Sequence, residues 1–423
     1  LTLLPLANSL DRKQFITIGG LTGQTVPGYS LPSMSTKISG EQTRVMNLDV
    51  GGVKPTEAVH RGLAERLICL HDEIKGDVAL GGLSRIAIAL YDETSDVLKT
   101  FIHSSDGDSP LDHSTAKLTE VPGLSRLAWT GARRIINDLE EVASSGQDHA
   151  IRLFAAGYRS SYTVPIHSKG VFYGFLFLNS FAVNFFSPTV IHRLRPYAEL
   201  IAQIIMRELD TVRMMHAAVK VIRQVSTVRD EETGAHLARM ARYSRIIASR
   251  LAPQLGLSDE YVEYLFQFAP LHDLGKISVP DHILLKPARL TTEEYDVMKG
   301  HVARGVEIVD MMVGDIGRQS LPHFDMLRNV VAYHHEAIDG SGYPHGLAGG
   351  EIPLEARIAA VADVFDALTS VRPYKGAWTN QAAIDLLRTQ TGAKFDSLCV
   401  TALIDSADLI ADIQSQFDET VYD

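Results

Sequence analysis

Thiols are almost absent: among 423 residues only Cys69 and Cys399 are cysteine, and they lie far apart in the chain. Neither a disulfide framework nor a thiolate zinc site is available, and the usage fits a reducing compartment. Cations are in deficit, with 40 Lys and Arg against 51 Asp and Glu and a formal charge of −11. That surplus of acid opposes a broad electrostatic grip on nucleic-acid polymers or anionic lipid, so a small anionic substrate would need local cations or metal. Long apolar runs are missing too. The most apolar stretch, 170–186, is broken by Asn179, Ser180 and Asn184, which argues against a membrane-spanning helix. Gly (32) and Pro (17) are spread thinly, and with 45% hydrophobic and 22% charged residues a disordered or collagenous chain is excluded. What remains is a globular protein whose length suggests two or three domains. The first residue is Leu1 rather than Met, so a targeting signal upstream would not be visible, and a cytoplasmic location is the expectation.

Residues 1–54 mix Gly, Ser, Thr and Pro without a strong period and read as an irregular arm, with a strand at Phe15–Ile18. From Glu57 to Ile74 the positions Val59, Leu63, Leu67 and Leu70 step by three or four, which predicts an amphipathic helix. Strand-like runs follow at Arg85–Tyr91 and Val97–His103, then a short helix near Gly123–Thr130 and a run at Arg134–Asn137. Two further β-rich runs, Ser160–His167 and Gly170–Asn179, meet at a hairpin turn. This half is expected to be α+β with an antiparallel sheet. After Ser187-Pro188, an N-cap and N1 pair, apolar residues from Val190 to Ile222 recur at helical spacing and imply one helix of about ten turns. A stripe that long exceeds what one small sheet needs, so its second half is expected to be a rigid connector packing against a second copy of the chain.

Beyond about Val225 helical periodicity dominates and histidines and carboxylates cluster. Neighbouring residues on a helix are separated by about 100°, so an adjacent His-Asp or His-His pair cannot both point into one apolar core, yet both can bracket a metal cluster at a helix end. Imidazole and carboxylate are donors that iron, manganese and zinc accept.

The run His272-Asp-Leu-Gly-Lys276, with His334-His-Glu-Ala-Ile-Asp-Gly-Ser-Gly-Tyr-Pro344, resembles the HD-GYP family of bacterial cyclic-dinucleotide phosphodiesterases. The likeness runs from about Asp230 to Lys375 and includes 352–357, 361–369 and 372–375. Position by position it implies metal ligands at His236, His272, Asp273, His301, His334, His335 and Asp363, with Asp273 bridging. Glu232 stands four before His236, so on a helix both face one side and can share an ion. Glu at that place resembles the trinuclear subgroup. Two or three divalent ions are implied, with iron or manganese as the metal and three the favoured number. A water shared between two cations becomes hydroxide near neutral pH, and the same cations neutralise charge on the phosphoryl oxygens. Lys276 is expected to donate a hydrogen bond or proton to the departing sugar oxygen, with Asp230 orienting it. Arg372 and Lys375 resemble contacts to the second phosphate of the substrate. The Gly340–Pro344 segment is expected to be a rigid loop holding Tyr343 beside the site, to stack on or bond to the substrate. Asp366 shares a helix face with Asp363 and suits a partner for a ligand. The chain departs from the family pattern at Val302, where Pro is usual. His282, His323 and His345 fall outside the matched positions and read as surface histidines.

The activity so implied is hydrolysis of cyclic di-GMP to pGpG, with GMP the product if cleavage continues. Cyclic GMP-AMP is an alternative substrate, and a catalytically silent dinucleotide receptor is the competing class. A nucleotide-monophosphate hydrolase of the wider HD superfamily is disfavoured by the Gly-Tyr-Pro segment. The element order of the first half looks like a GAF domain, a sensory fold, taking an unknown small-molecule or redox signal; no cysteine suits a bilin attachment. The expected organisation is therefore an arm (1–54), a GAF-like domain (55–186), a connecting helix (187–228) and an all-α HD-GYP domain (229–423). A homodimer through the connecting helix, regulation through its residues 205–228 and GGDEF-type protein partners complete the expectations.

Overall fold

The computed structural model describes residues 62–225, 234–316, 323–371 and 376–418. The arm over 1–54 lies outside these, as do Asp230, Glu232, Arg372 and Lys375. The expected fold class is present: an α+β half with one antiparallel sheet, a long helix and a helical half.

The sheet contains β1 (Arg85–Asp92), β2 (Val97–Ser105), β3 (Thr115–Lys117), β4 (Arg134–Ile136), β5 (Ser160–Ser168) and β6 (Val171–Ser180). They pair antiparallel in the order β3-β2-β1-β6-β5-β4. The β5–β6 hairpin closes through Lys169 and Gly170, both with positive φ (49° and 82°), the conformation whose twist matches that of the flanking strands. β1 is central and buried on both faces. Its alternation sends Ile86, Ile88 and Leu90 into the main core with the helix Leu63–Lys75, while Arg85, Ala87 and Ala89 face the opposite side. There the helix Pro122–Thr130 covers part of the sheet with Leu124 and Leu127.

The helix Pro188–Val225 has 38 residues, with Pro196 inside it. Its stripe of Val190, Leu194, Ala198, Ile201, Ile205, Leu209, Val212 and Met215 is buried within the chain. As far as Met215 the stripe is thus covered within the chain, where the helical half places Met240, Tyr243 and Leu265 in the same apolar cluster. That half is built from helices including Gly234–Leu255, Asp259–Phe268, His301–Ile316, Phe324–Tyr333 and Leu354–Thr369. Ser258 caps the second of these by accepting from Tyr261 N (3.0 Å).

The sheet meets the helical half through a mostly ionic seam. Thr100 Oγ1 donates to Asp259 (2.6 Å), His113 Nδ1 lies 2.7 Å from the same carboxylate, and Leu63 N donates to Glu260 (3.2 Å). Arg242 reaches Asp92 at 3.1 Å. Lys99 pairs with Glu263, both side chains being nearly inaccessible (9% and 5%). Burial, more than its charged neighbours, pushes the Lys99 ammonium down to about 8.

A buried pair of this kind punishes loss of one partner more than loss of both. Lys99→Met or Glu263→Met alone should therefore destabilise the protein by about 3–5 kcal/mol in denaturant titration, and the double variant by much less. Additive losses would show that the two side chains do not form a pair.

Candidate metal centre

Five separate elements bring imidazole and carboxylate groups to one place. His236 is on the first turn of the helix Gly234–Leu255, and Asp363 lies on Leu354–Thr369. His272 and Asp273 sit between two single-turn segments, Ala269–Leu271 and Leu274–Ser278. His301 opens its helix with Val302 as the second residue, and His334-His335 follow the end of Phe324–Tyr333. The close approach of His301 to Asp273 requires glycine at 275, where a Cβ would come within 1.8 Å of the His301 carbonyl oxygen and 2.5 Å of Gly305 N.

Two groups of potential donors result: Asp273, His301, His334 and His335 in one, and His236, His272 and Asp363 in the other, each with ligand atoms within 4.8 Å of one another. Asp273 faces both. Its Oδ2 lies 3.0 Å from His272 Nε2, while its Oδ1 lies 3.1 Å from His301 Nε2 and 3.6 Å from His334 Nε2. His236 Nε2 and His272 Nε2 are each 3.8 Å from Asp363 Oδ1.

The outer nitrogens set the tautomers. His272 Nδ1 faces Ala269 O (3.0 Å), His301 Nδ1 faces Met298 O (2.8 Å), His334 Nδ1 faces Val330 O (3.0 Å) and His236 Nδ1 faces Asp366 Oδ2 (2.7 Å). These oxygens only accept, so each Nδ1 carries the proton and each neutral ring directs an Nε2 lone pair inward. Burial lowers the basicity of His334 and His335 by more than the nearby Asp273 carboxylate raises it. Burial would raise the Asp273 carboxyl, but the Lys276 ammonium beside it holds it well below the usual carboxylate range. The inward Nε2 atoms of His301 and His334 and Oδ1 of Asp273 are buried without a hydrogen-bond donor. Lone pairs converging at 3.1–3.6 Å repel unless a cation lies among them, so this set fits divalent metal.

Around the cluster, Lys276 Nζ lies 2.6 Å from Asp273 Oδ2, facing the site as its spacing implied. Tyr343 stacks on His335 with ring centres 4.7 Å apart. Its loop is anchored by Glu336, whose carboxylate accepts from His345 N (2.7 Å) and Leu347 N (3.0 Å). Asp366 is fully buried and also takes a fork from Arg239, at 2.7 Å and 3.0 Å. Arg239 and Glu336 escaped the sequence reading, although Arg239 stands three after His236 on the same helix face. One histidine needs correction. His323 is not an ordinary surface residue: it lies 3.2 Å from Glu260 and packs on Tyr264, because the buried Glu260 carboxylate requires a donor. His282 and His345 are exposed, as expected.

Residues 230–398 match the HD domain family model. The chain is 46% identical over 212 residues to a cyclic di-GMP phosphodiesterase response regulator, RpfG, of Xanthomonas campestris, covering 50% of this chain and 51% of the relative. It is 40% identical over 180 residues to a 3'3'-cGAMP-specific phosphodiesterase of Vibrio cholerae, covering 43% of this chain and 32% of that protein. The chain thus spans about half the length, or less, of these relatives. Among solved structures, a GAF domain/HD domain protein from Geobacter sulfurreducens aligns with 36% of this chain and 96% of its own at 12% identity and a TM-score of 0.27. With its His-Asp pair set among converging imidazoles, the region 230–398 is a domain of the HD family.

Proposed function

We propose that the protein hydrolyses cyclic dinucleotides, opening cyclic di-GMP to pGpG. The observation that carries the reading is the pair of donor groups joined through the two oxygens of Asp273, with Lys276 against one of them. His236, His272 and Asp363 would hold one ion, and His301, His334 and His335 a second, with Asp273 between. Divalent ions bound there would supply an acidified water and neutralise charge on the phosphoryl oxygens. The chain's own residues do the rest. Lys276, held by Asp273, presents an ammonium that can protonate the departing sugar oxygen, with Asp230 to orient it. Tyr343, fixed flat against His335, offers a ring edge and hydroxyl beside the site, and Arg372 and Lys375 supply cations for the distal phosphate. A third ion would require Glu232.

The names of the relatives support this class of substrate, and one of them supports cyclic GMP-AMP as a second candidate. Full-length protein, loaded anaerobically with iron(II) or manganese(II) and incubated with each dinucleotide, decides by chromatography of the products. No cleavage of either would leave the silent-receptor reading. Regulation is part of the proposal: the sheet half holds Asp259, Glu260 and Glu263 on the helix that leads into His272 and Asp273, so a change in the sheet would reach the centre through that helix.

Asp273→Asn should abolish turnover and lower bound metal, since it removes one anionic oxygen shared by both groups. Asp366→Asn should lower metal affinity or activity by about 10–100-fold while the protein stays folded, because it disturbs the His236 proton rather than a ligand atom. Gly275→Ala should lose metal through displacement of His301, read by metal analysis alongside circular dichroism. Wild-type metal content in these variants would remove the proposed centre. Comparing metal content of the wild type with that of Glu232→Ala separates two ions from three.

A further inference from the structure

The face of the sheet turned away from the long helix encloses a cavity of about 570 Å³. It exists because β1 places Ala87 and Ala89 there, leaving room that Leu98, Leu124 and Phe177 only border. Such a volume takes a small organic molecule. The lining contains no cysteine for a thioether link and only one histidine, His149, so a covalent chromophore or a metal is not what it suits.

At the inner end stands Arg85, 2% exposed. Its Nη1 donates to Asn179 Oδ1 at 3.1 Å, and Asn179 in turn donates to Ser161 Oγ at 3.0 Å. Both neighbours are neutral. Arg85 Nε is buried with no hydrogen-bond partner, and among the described residues no carboxylate lies within 4.0 Å of this guanidinium. Arg134, on the same lining, repeats the pattern: its Nε is buried without a partner and it too forms no ion pair among the described residues. Burial lowers both guanidinium groups and the His149 imidazole, which Arg134 depresses further. The acids of the lining, Glu120 and Asp148, are exposed and belong to the rim. A charged fork whose hydrogen-bond partners are all neutral, and which the Asp112 carboxylate reaches only from beyond ion-pair distance, is unfavourable when buried, and arginine cannot relieve the cost by giving up its proton. An anion is the missing component.

We infer that this cavity binds a small organic anion, a carboxylate or phosphate head on an apolar body, with Arg85 and Arg134 as its counter-charges. Arg85 and Arg134, both on the lining, supply positive charge for the head group, and the alanine-lined space receives the body.

The test uses the full chain and three probes of one shape: phenylacetate, phenyl phosphate and the neutral phenylacetamide. Thermal unfolding should rise saturably by roughly 2–5 °C with at least one anion and not with the amide. The anion with the lower half-saturation identifies the head group. Arg85→Met should unfold in the absence of probe at or above the wild-type temperature and lose the response, which separates this site from anion capture at the metal centre. Arg134→Gln should weaken the response by about tenfold or more. Equal shifts with amide and carboxylate, no shift with either anion, or an Arg85→Met protein that is less stable than wild type without probe would each overturn the inference.

Discussion

Repulsion between lone pairs organises the helical half. Four of the centre's five imidazoles spend the outer N–H on a main-chain carbonyl (His272, His301, His334) or on Asp366 (His236), and so must turn an unprotonated nitrogen inward. Those nitrogens share a space with the oxygens of Asp273 and Asp363, and the Nε2 atoms of His301 and His334 and Oδ1 of Asp273 are buried there with no donor among the described residues. The close backbone contact at Gly275, the buried fork of Arg239 on Asp366 and the anchoring of the Tyr343 loop by Glu336 all hold this unfavourable assembly in place. The fold is arranged to tolerate a local electrostatic conflict that positive charge resolves.

Much of this could be read before any coordinates. The strand runs, the hairpin at 168–170 and the long helix follow from alternation, turn residues and three-to-four spacing, signals that local sequence carries directly. Of the ligand positions inside the described residues, all seven converge as the family resemblance implied. What could not be read was pairing across distance. Arg239 and Glu336 look like solvated charges in a linear chain, and only the folded neighbours, Asp366 and the main chain at 345–347, make them structural. His323 was misjudged for the same reason. The fate of the stripe on the helix Pro188–Val225 was also invisible, since an apolar face does not state whether its partner is another molecule or a later part of the same chain.

The two halves differ in how they handle buried charge. In the helical half carboxylates and imidazoles are concentrated and oriented, and cations are few. In the sheet half the imbalance is reversed, with Arg85 and Arg134 facing a space whose acids, Glu120 and Asp148, are exposed at its rim. Between them runs the seam in which Lys99, Arg242 and His113 meet Glu263, Asp92 and Asp259. There the charges are matched.

That seam bears on how such a chain can diversify. Three acidic residues of one ten-residue helix, Asp259, Glu260 and Glu263, are committed to donors on the preceding half, and the same helix runs on to the His-Asp pair. A different receiver module grafted onto this hydrolase would have to bring its own threonine, histidine and lysine to matching sites, or strand Asp259 and Glu263 against a foreign surface. Modular exchange in this architecture is thus restricted to units that conserve the dock.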